Sequence, residues 1–201
     1  MLNVNALGHV IDSRVVLSVS ASIERGKLAA VSGIIVHQTG GATATSSLNS
    51  YVNPKANGAH FLIDKDGTIY QTASIYQQTW HVGSLKARCV AEFRCSPADK
   101  AGLKKFSPSA EHKRESAKAV PDRFPSNKDS IGIELVGGLT PGKPGEPAEK
   151  RIYETVTTEQ NASLHWLVQG LRDLFSVPPT EVFRHPMVSR KNPTEAATAS
   201  W

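Results

Sequence analysis

The sequence predicts a single mixed α/β domain, a central mixed β-sheet flanked by helices, on three observations. Two branched apolar runs, "SGIIVHQTGG" (32–41) and "DSIGIELVGG" (129–138), read as buried strands. "AHFLIDKDGTIYQTA" reads as a hairpin turning at Lys65-Asp66-Gly67, where glycine tolerates positive φ. After Thr157, the residues Leu164, Leu167, Val168, Leu171, Leu174 and Phe175 recur at helical spacing. Strands interspersed with amphipathic helices bury their apolar faces by layering helices on a sheet.

Taken in order, residues 1–30 form an N-terminal extension of irregular or extended chain leading into a strand over 33–38. Residues 43–52 favour a short helix, stopped by Asn53-Pro54. In "DSIGIELVGG", Ile131, Ile133 and Leu135 share one face while Glu134 takes the other. The segments 84–128 and 139–150 read as loops. Thr157 and Gln160 fit a capping box opening the long helix. "TEVFRHP" reads as a last short strand ending on His185, and "NPTEAATASW" as the start of a short terminal helix.

At 201 residues and 39% hydrophobic, the chain suits one domain over 1–201. No run approaches the roughly 18 apolar residues of a membrane span. The first residues lack a classical signal peptide. That fits either a cytoplasmic protein or one delivered to the periplasm and cell wall by a secretion system or phage lysis. Charge is unevenly placed: 84–128 holds 11 Lys/Arg against 5 Asp/Glu, more than the whole net surplus of +5. Such a basic insertion favours a polyanion such as an acidic wall polymer, or simply keeps the protein soluble. It lacks the interleaved aromatics that stack bases, so no nucleic-acid partner is expected. Cys89 and Cys95 fit neither a zinc knuckle nor a redox motif; they either close a small disulfide or stand as free thiols.

His37 and His185 each fall at a strand's C-terminal end, where sheet proteins place sites. Two imidazoles and a carboxylate make a catalytic zinc set with an open fourth position. A further carboxylate can serve as base and a lysine can steady an oxyanion. Seven histidines allow many pairings, so spacing alone is weak.

The ordered set "GIIVHQTGG", "AHFLIDKDGTIYQ", "WHVG", "DSIGIELVGG" and "VFRHPMVSRKNP" resembles the zinc-dependent N-acetylmuramoyl-L-alanine amidases, the family that includes phage amidases, cell-wall recycling amidases and peptidoglycan recognition proteins. The resemblance spans about 31–201 and implies an amidase fold interrupted by the basic insertion. It implies one Zn2+ held by His37 and His185. The family's third ligand is an Asp or Cys, where this chain has Lys191-Asn192-Pro193; the nearest competent donor is Glu195. Glu134 matches the glutamate of the recycling enzymes. The tyrosine that phage members carry before the "HF" strand is replaced by Ala59, which leaves Glu134 as proton carrier. Lys191 would stabilise the oxyanion. His81 and Trp80 would line the groove for substrate, with packing the alternative for Trp80 and a hydrogen bond near the metal for His81. His60 reads as a buried, satisfied residue. The implied substrate is peptidoglycan or a soluble muropeptide, cut between the lactyl group and L-Ala. A toxin delivered to rival cells would also have an immunity protein as partner. The competing expectation is a binding module that holds peptidoglycan without cutting it.

Overall fold

The computed structural model of the chain describes residues 2–105, 107–142, 147 and 150–201. Among the described residues eight strands form two sheets: β1 (Val15–Leu17), β2 (Glu24–Lys27), β3 (Gly33–Gly40), β4 (Phe61–Ile63), β5 (Ile69–Gln71), β6 (Gln77–Thr79), β7 (Ser130–Gly138) and β8 (Val182–Arg184). The main sheet runs β1-β5-β4-β7-β3-β8, and β2 pairs antiparallel with β6. The main sheet is mixed: β4 and β5 form the expected antiparallel hairpin, with Gly67 at φ +87°, and the remaining pairs are parallel.

The helices are α1 (Ala44–Tyr51), α2 (Arg88–Ala91), α3 (Pro97–Leu103), α4 (Pro108–Ser116), α5 (Thr158–Phe175) and α6 (His185–Val188). The Thr157–Gln160 capping box opens α5, and Ser176 closes it in the left-handed region. Leu164, Leu167, Val168 and Leu171 of α5 pack on Ile34, Val36, Phe61, Ile63, Ile131, Ile133 and Leu135 of the sheet. Alternation along the strands turns Ile35, His37, Leu62 and Glu134 to the opposite face. There Ile35 joins Val82, Leu85, Phe124, Phe183 and Val188, and Leu62 joins Ala44 and Val136. The helix face is mostly apolar, with the buried Gln160 of α5 donating to the Ile63 and Val136 carbonyls; the other face carries polar chemistry between apolar flanks.

Three expectations change. His37 lies within β3, which continues to Gly40, and so stands inside the ladder and not at its end. The basic segment carries α2, α3 and α4 where a loop was expected. These helices have no apolar stripe for periodicity to find, but Ser96-Pro97 and Ser107-Pro108 place a capping serine before a proline at the first helical position. A disulfide joins Cys89 and Cys95 across this segment. The Arg88 guanidinium grips both carboxylate oxygens of Glu181, at 2.8 and 2.7 Å, beside Phe124 and Phe183, and so ties α2 to the chain entering β8. Finally, 193–198 forms turns and no terminal helix follows. Asn192 Oδ1 accepts from the Thr194 N–H and hydroxyl, Arg184 donates to the carbonyls of Ala196 and Ala199, and Ala196 sits at φ +52°. Half of the expected 139–150 loop (143–146, 148 and 149) lies outside the described residues. Among the described residues no helix is long and apolar enough to cross a membrane. The N-terminal extension contributes β1 to the sheet edge and seats Leu2 against Gly170 on α5.

Candidate active site

Register places three residues abreast. His37 of β3 pairs with Glu134 of β7, and Glu134 pairs with Leu62 of β4. His185 arrives from the adjacent strand, as the residue that follows β8 and starts α6. The turns after Asn192 bring Glu195 back to these histidines. Its Oε1 lies 2.8 Å from His185 Nδ1 and 3.6 Å from His37 Nδ1. The two imidazole centroids are 4.2 Å apart. All three side chains are buried, and their potential ligand atoms lie within 4.8 Å of one another.

Hydrogen bonding assigns the tautomers. His185 Nε2 lies 2.8 Å from the Val82 carbonyl, which can only accept, so the proton is on Nε2. Ser130 gives its hydroxyl hydrogen to Ser126 O at 2.6 Å and accepts from His81 Nε2 at 3.2 Å. His81 Nδ1 is then an acceptor, and His37 donates its Nε2–H to it at 2.9 Å. Both imidazoles therefore turn an Nδ1 lone pair toward the Glu195 carboxylate. Two lone pairs facing an anion, with no hydrogen between them, is a donor set that fits a cation; N/N/O is an ordinary zinc combination.

Electrostatics agree with that reading. Burial, reinforced by the neighbouring His185, pushes His37 down to about 4 against the pull of Glu195, so the ring is neutral and able to ligate. Burial and then His37, His60 and His185 hold His81 well below the usual range. Glu134 goes the other way: burial and then the Glu195 charge push it up to about 8, with Lys191 opposing. Its Oε2 is buried and makes no hydrogen bond. A perturbed carboxyl with an unsatisfied oxygen, opening into a groove, is a candidate proton carrier.

These groups line a groove of about 510 Å3 together with Trp80, Lys191, Tyr153 and Asn127. Trp80 is half exposed at the groove, with the Arg25 guanidinium 5.0 Å from its ring. His81 spends both ring nitrogens within the protein. His60 is satisfied as expected: Nδ1 accepts from the Gly132 N–H and Nε2 donates to Gln77 O. All seven residues expected at the site thus meet in one groove. Sequence reasoning missed Tyr153, which burial and then Glu195 and Glu134 push up to about 12, so it stays a neutral hydroxyl. It also missed Asn127; neither residue carries a spacing signal.

The family model for N-acetylmuramoyl-L-alanine amidases matches residues 27–196. Among solved structures, a selenomethionine derivative of AmpD is 18% identical at TM-score 0.58, over 100% of this chain and 95% of that one. AmiD from E. coli, in complex with anhydro-N-acetylmuramic acid-L-Ala-D-gamma-Glu-L-Lys, is 18% identical at TM-score 0.53, over 94% of this chain and 60% of that one. The endolysin amidase LysCS from Clostridium intestinale is 18% identical at TM-score 0.50, over 88% and 84%. No curated protein matches the chain by sequence. The structural likenesses establish the fold, and the family match, across most of the chain, establishes that this protein belongs to the N-acetylmuramoyl-L-alanine amidases.

Proposed function

We propose that the protein is a zinc amidase that hydrolyses the amide between the lactyl group of N-acetylmuramic acid and L-Ala of the stem peptide. The observation that carries this is the convergence of His37 Nδ1, His185 Nδ1 and Glu195 Oε1 beside Glu134. Zinc bound by those three atoms would supply Lewis acidity, acidifying water and polarising a carbonyl. A positive charge held there would also pull the Glu134 carboxyl down from about 8, into its basic form at neutral pH.

Glu134 then takes a proton from the attacking water as oxygen adds to the lactyl carbonyl. It delivers that proton to the nitrogen of L-Ala as the C–N bond breaks. Lys191, at the groove and close enough to act on both Glu134 and His37, places its ammonium beside the developing oxyanion. The neutral Tyr153 hydroxyl and the exposed Trp80 ring offer a hydrogen bond and an apolar face to the substrate.

The substrate is peptidoglycan or a fragment of it, the class named in the AmiD complex. The Cys89–Cys95 disulfide favours action in an oxidising compartment, on the wall and not on cytoplasmic fragments. The test measures metal content and murein hydrolysis in the wild type, Glu195→Ala and Glu134→Ala. The reading expects one zinc and released stem peptides in the wild type, loss of metal in Glu195→Ala, and a metal-loaded but inactive Glu134→Ala. A wild type that holds no zinc, or a Glu195→Ala protein that holds it as well, overturns the assignment. Whole sacculi against soluble anhydro-muropeptides as substrate tests the site of action.

A further inference from the structure

We propose that Asn127 is a positioning residue for both imidazoles of the site, acting through the backbone of the His81–Val82 dipeptide; this rests on the zinc reading above. One amide oxygen, Asn127 Oδ1, accepts the N–H of His81 at 2.9 Å and the N–H of Val82 at 2.8 Å. Each of those residues then holds one histidine. The His81 ring accepts from His37 Nε2, and the Val82 carbonyl accepts from His185 Nε2. Two imidazoles on different strands, β3 and the end of β8, thus take their tautomer and ring orientation from a single dipeptide. That dipeptide is fixed by a single side chain.

The clamp is itself braced. Asn127 sits in a turn closed by Asp129, whose Oδ1 accepts from the Ser126 N–H and hydroxyl and whose carboxylate is gripped by Arg123 at 2.6 and 3.2 Å. The His81 ring lies flat against the backbone of β7 because residue 132 is glycine. A Cβ there would stand 2.7 Å from the ring, inside contact distance. The turn leads directly into β7, the strand that bears Glu134, so the same device sets the proton carrier's strand against the two imidazoles. Groups that accept the far N–H of a ligating histidine fix its free lone pair, and their loss typically lowers metal affinity about 10–100-fold. Asn127 acts one step further out, on two such groups together.

The experiment compares wild type, Asn127→Leu and Asn127→Asp. Aspartate keeps an oxygen for both N–H groups; leucine keeps the volume and accepts nothing. Zinc affinity is measured by competition with a chelator, and long-range 15N–1H spectra read the tautomers of His37 and His185 in metal-free protein. Wild type should show the Nε2–H form at both histidines. Asn127→Leu should bind zinc about 10–100-fold more weakly, with mixed tautomers at both rings, and Asn127→Asp should restore affinity and tautomers. A folded Asn127→Leu protein with wild-type affinity and unchanged tautomers overturns the proposal, as does an Nδ1–H form at either histidine of the wild type. Should Asn127→Leu fail to fold, the wild-type tautomers and Gly132→Ala decide, since displacing the His81 ring must disturb His37 and leave His185 alone. A wild type that binds no zinc refutes the metal reading, while the tautomers still judge the clamp.

Discussion

Replacing Glu134 by Gln should stabilise the metal-free protein while lowering its activity, and the stabilisation should depend on pH in a defined direction. The folded carboxyl is raised to about 8 from an ordinary 4.5, chiefly by burial. Between those values the folded protein holds a proton that the unfolded chain releases, so stability falls as pH rises through the window. At about 1.4 kcal/mol per pH unit the full window is worth about 5 kcal/mol, of which about 3 kcal/mol has accrued by pH 7. These are ceilings, since the residue is partly open to the groove although its Oε2 is buried. Glutamine has the same shape and never ionises, so its advantage over glutamate should grow by about 3 kcal/mol between pH 5 and 8 and then level off. Urea unfolding of both proteins in chelator across that range reads the difference directly. Parallel stability curves, with the same offset at pH 5 and pH 8, would refute the placement of Glu134 as a carboxyl short of hydrogen bonds in a poorly solvated site. Activity should fall about 10²–10⁴-fold in the same variant, as for loss of a proton-transfer group.

Zinc loading should lower the pH at which Glu134 ionises, seen in its 13C carboxyl shift; an unchanged midpoint would separate the cation from the carboxyl. Lys191→Met should lose about 10²–10³-fold in turnover while keeping its full zinc content, and a parallel loss of metal would recast Lys191 as part of the metal site. Glu181→Ala leaves the buried Arg88 guanidinium with the partly buried Glu92 and the Arg123 carbonyl alone, and should destabilise the fold by about 3–5 kcal/mol, read as a lower urea midpoint.

What was legible in the sequence follows from what carries a period. β3, β7 and α5 announce themselves because each buries a face, and burial writes alternation or helical spacing into the residues. Glu134 was readable for the same reason, as a polar residue on the strand face opposite the branched core, whereas His37 was reached as a strand-end histidine and through the family pattern. α4, "PSAEHKRES", buries only two glutamates, so it left no apolar stripe and was visible only in its capping serine and proline. Glu195 was reachable through the family pattern and the lack of another donor near Lys191. What delivers it is a turn held by Asn192 and Arg184, tertiary contacts with no local signature. Asn127 was illegible for the same physical reason: an amide that bonds the backbone of residues 81 and 82, some 45 positions earlier in the chain, looks like any surface asparagine in a turn.

The pairing of His37 with Glu134 across two parallel strands bears on how such a protein can change over time. Because side chains alternate, adding or deleting one residue within β3 or β7 would turn the imidazole or the carboxyl into the apolar layer beneath α5 and bring Val36 or Ile133 into the groove. No graded intermediate exists, so the reactive face is inherited as a block. The rim is less constrained: α3, which buries no residue, lies between β6 and β7 without interrupting a ladder, and the chain around it can lengthen. New reach beyond the groove is therefore acquired by lengthening such a rim, while the strands below stay fixed in number and register.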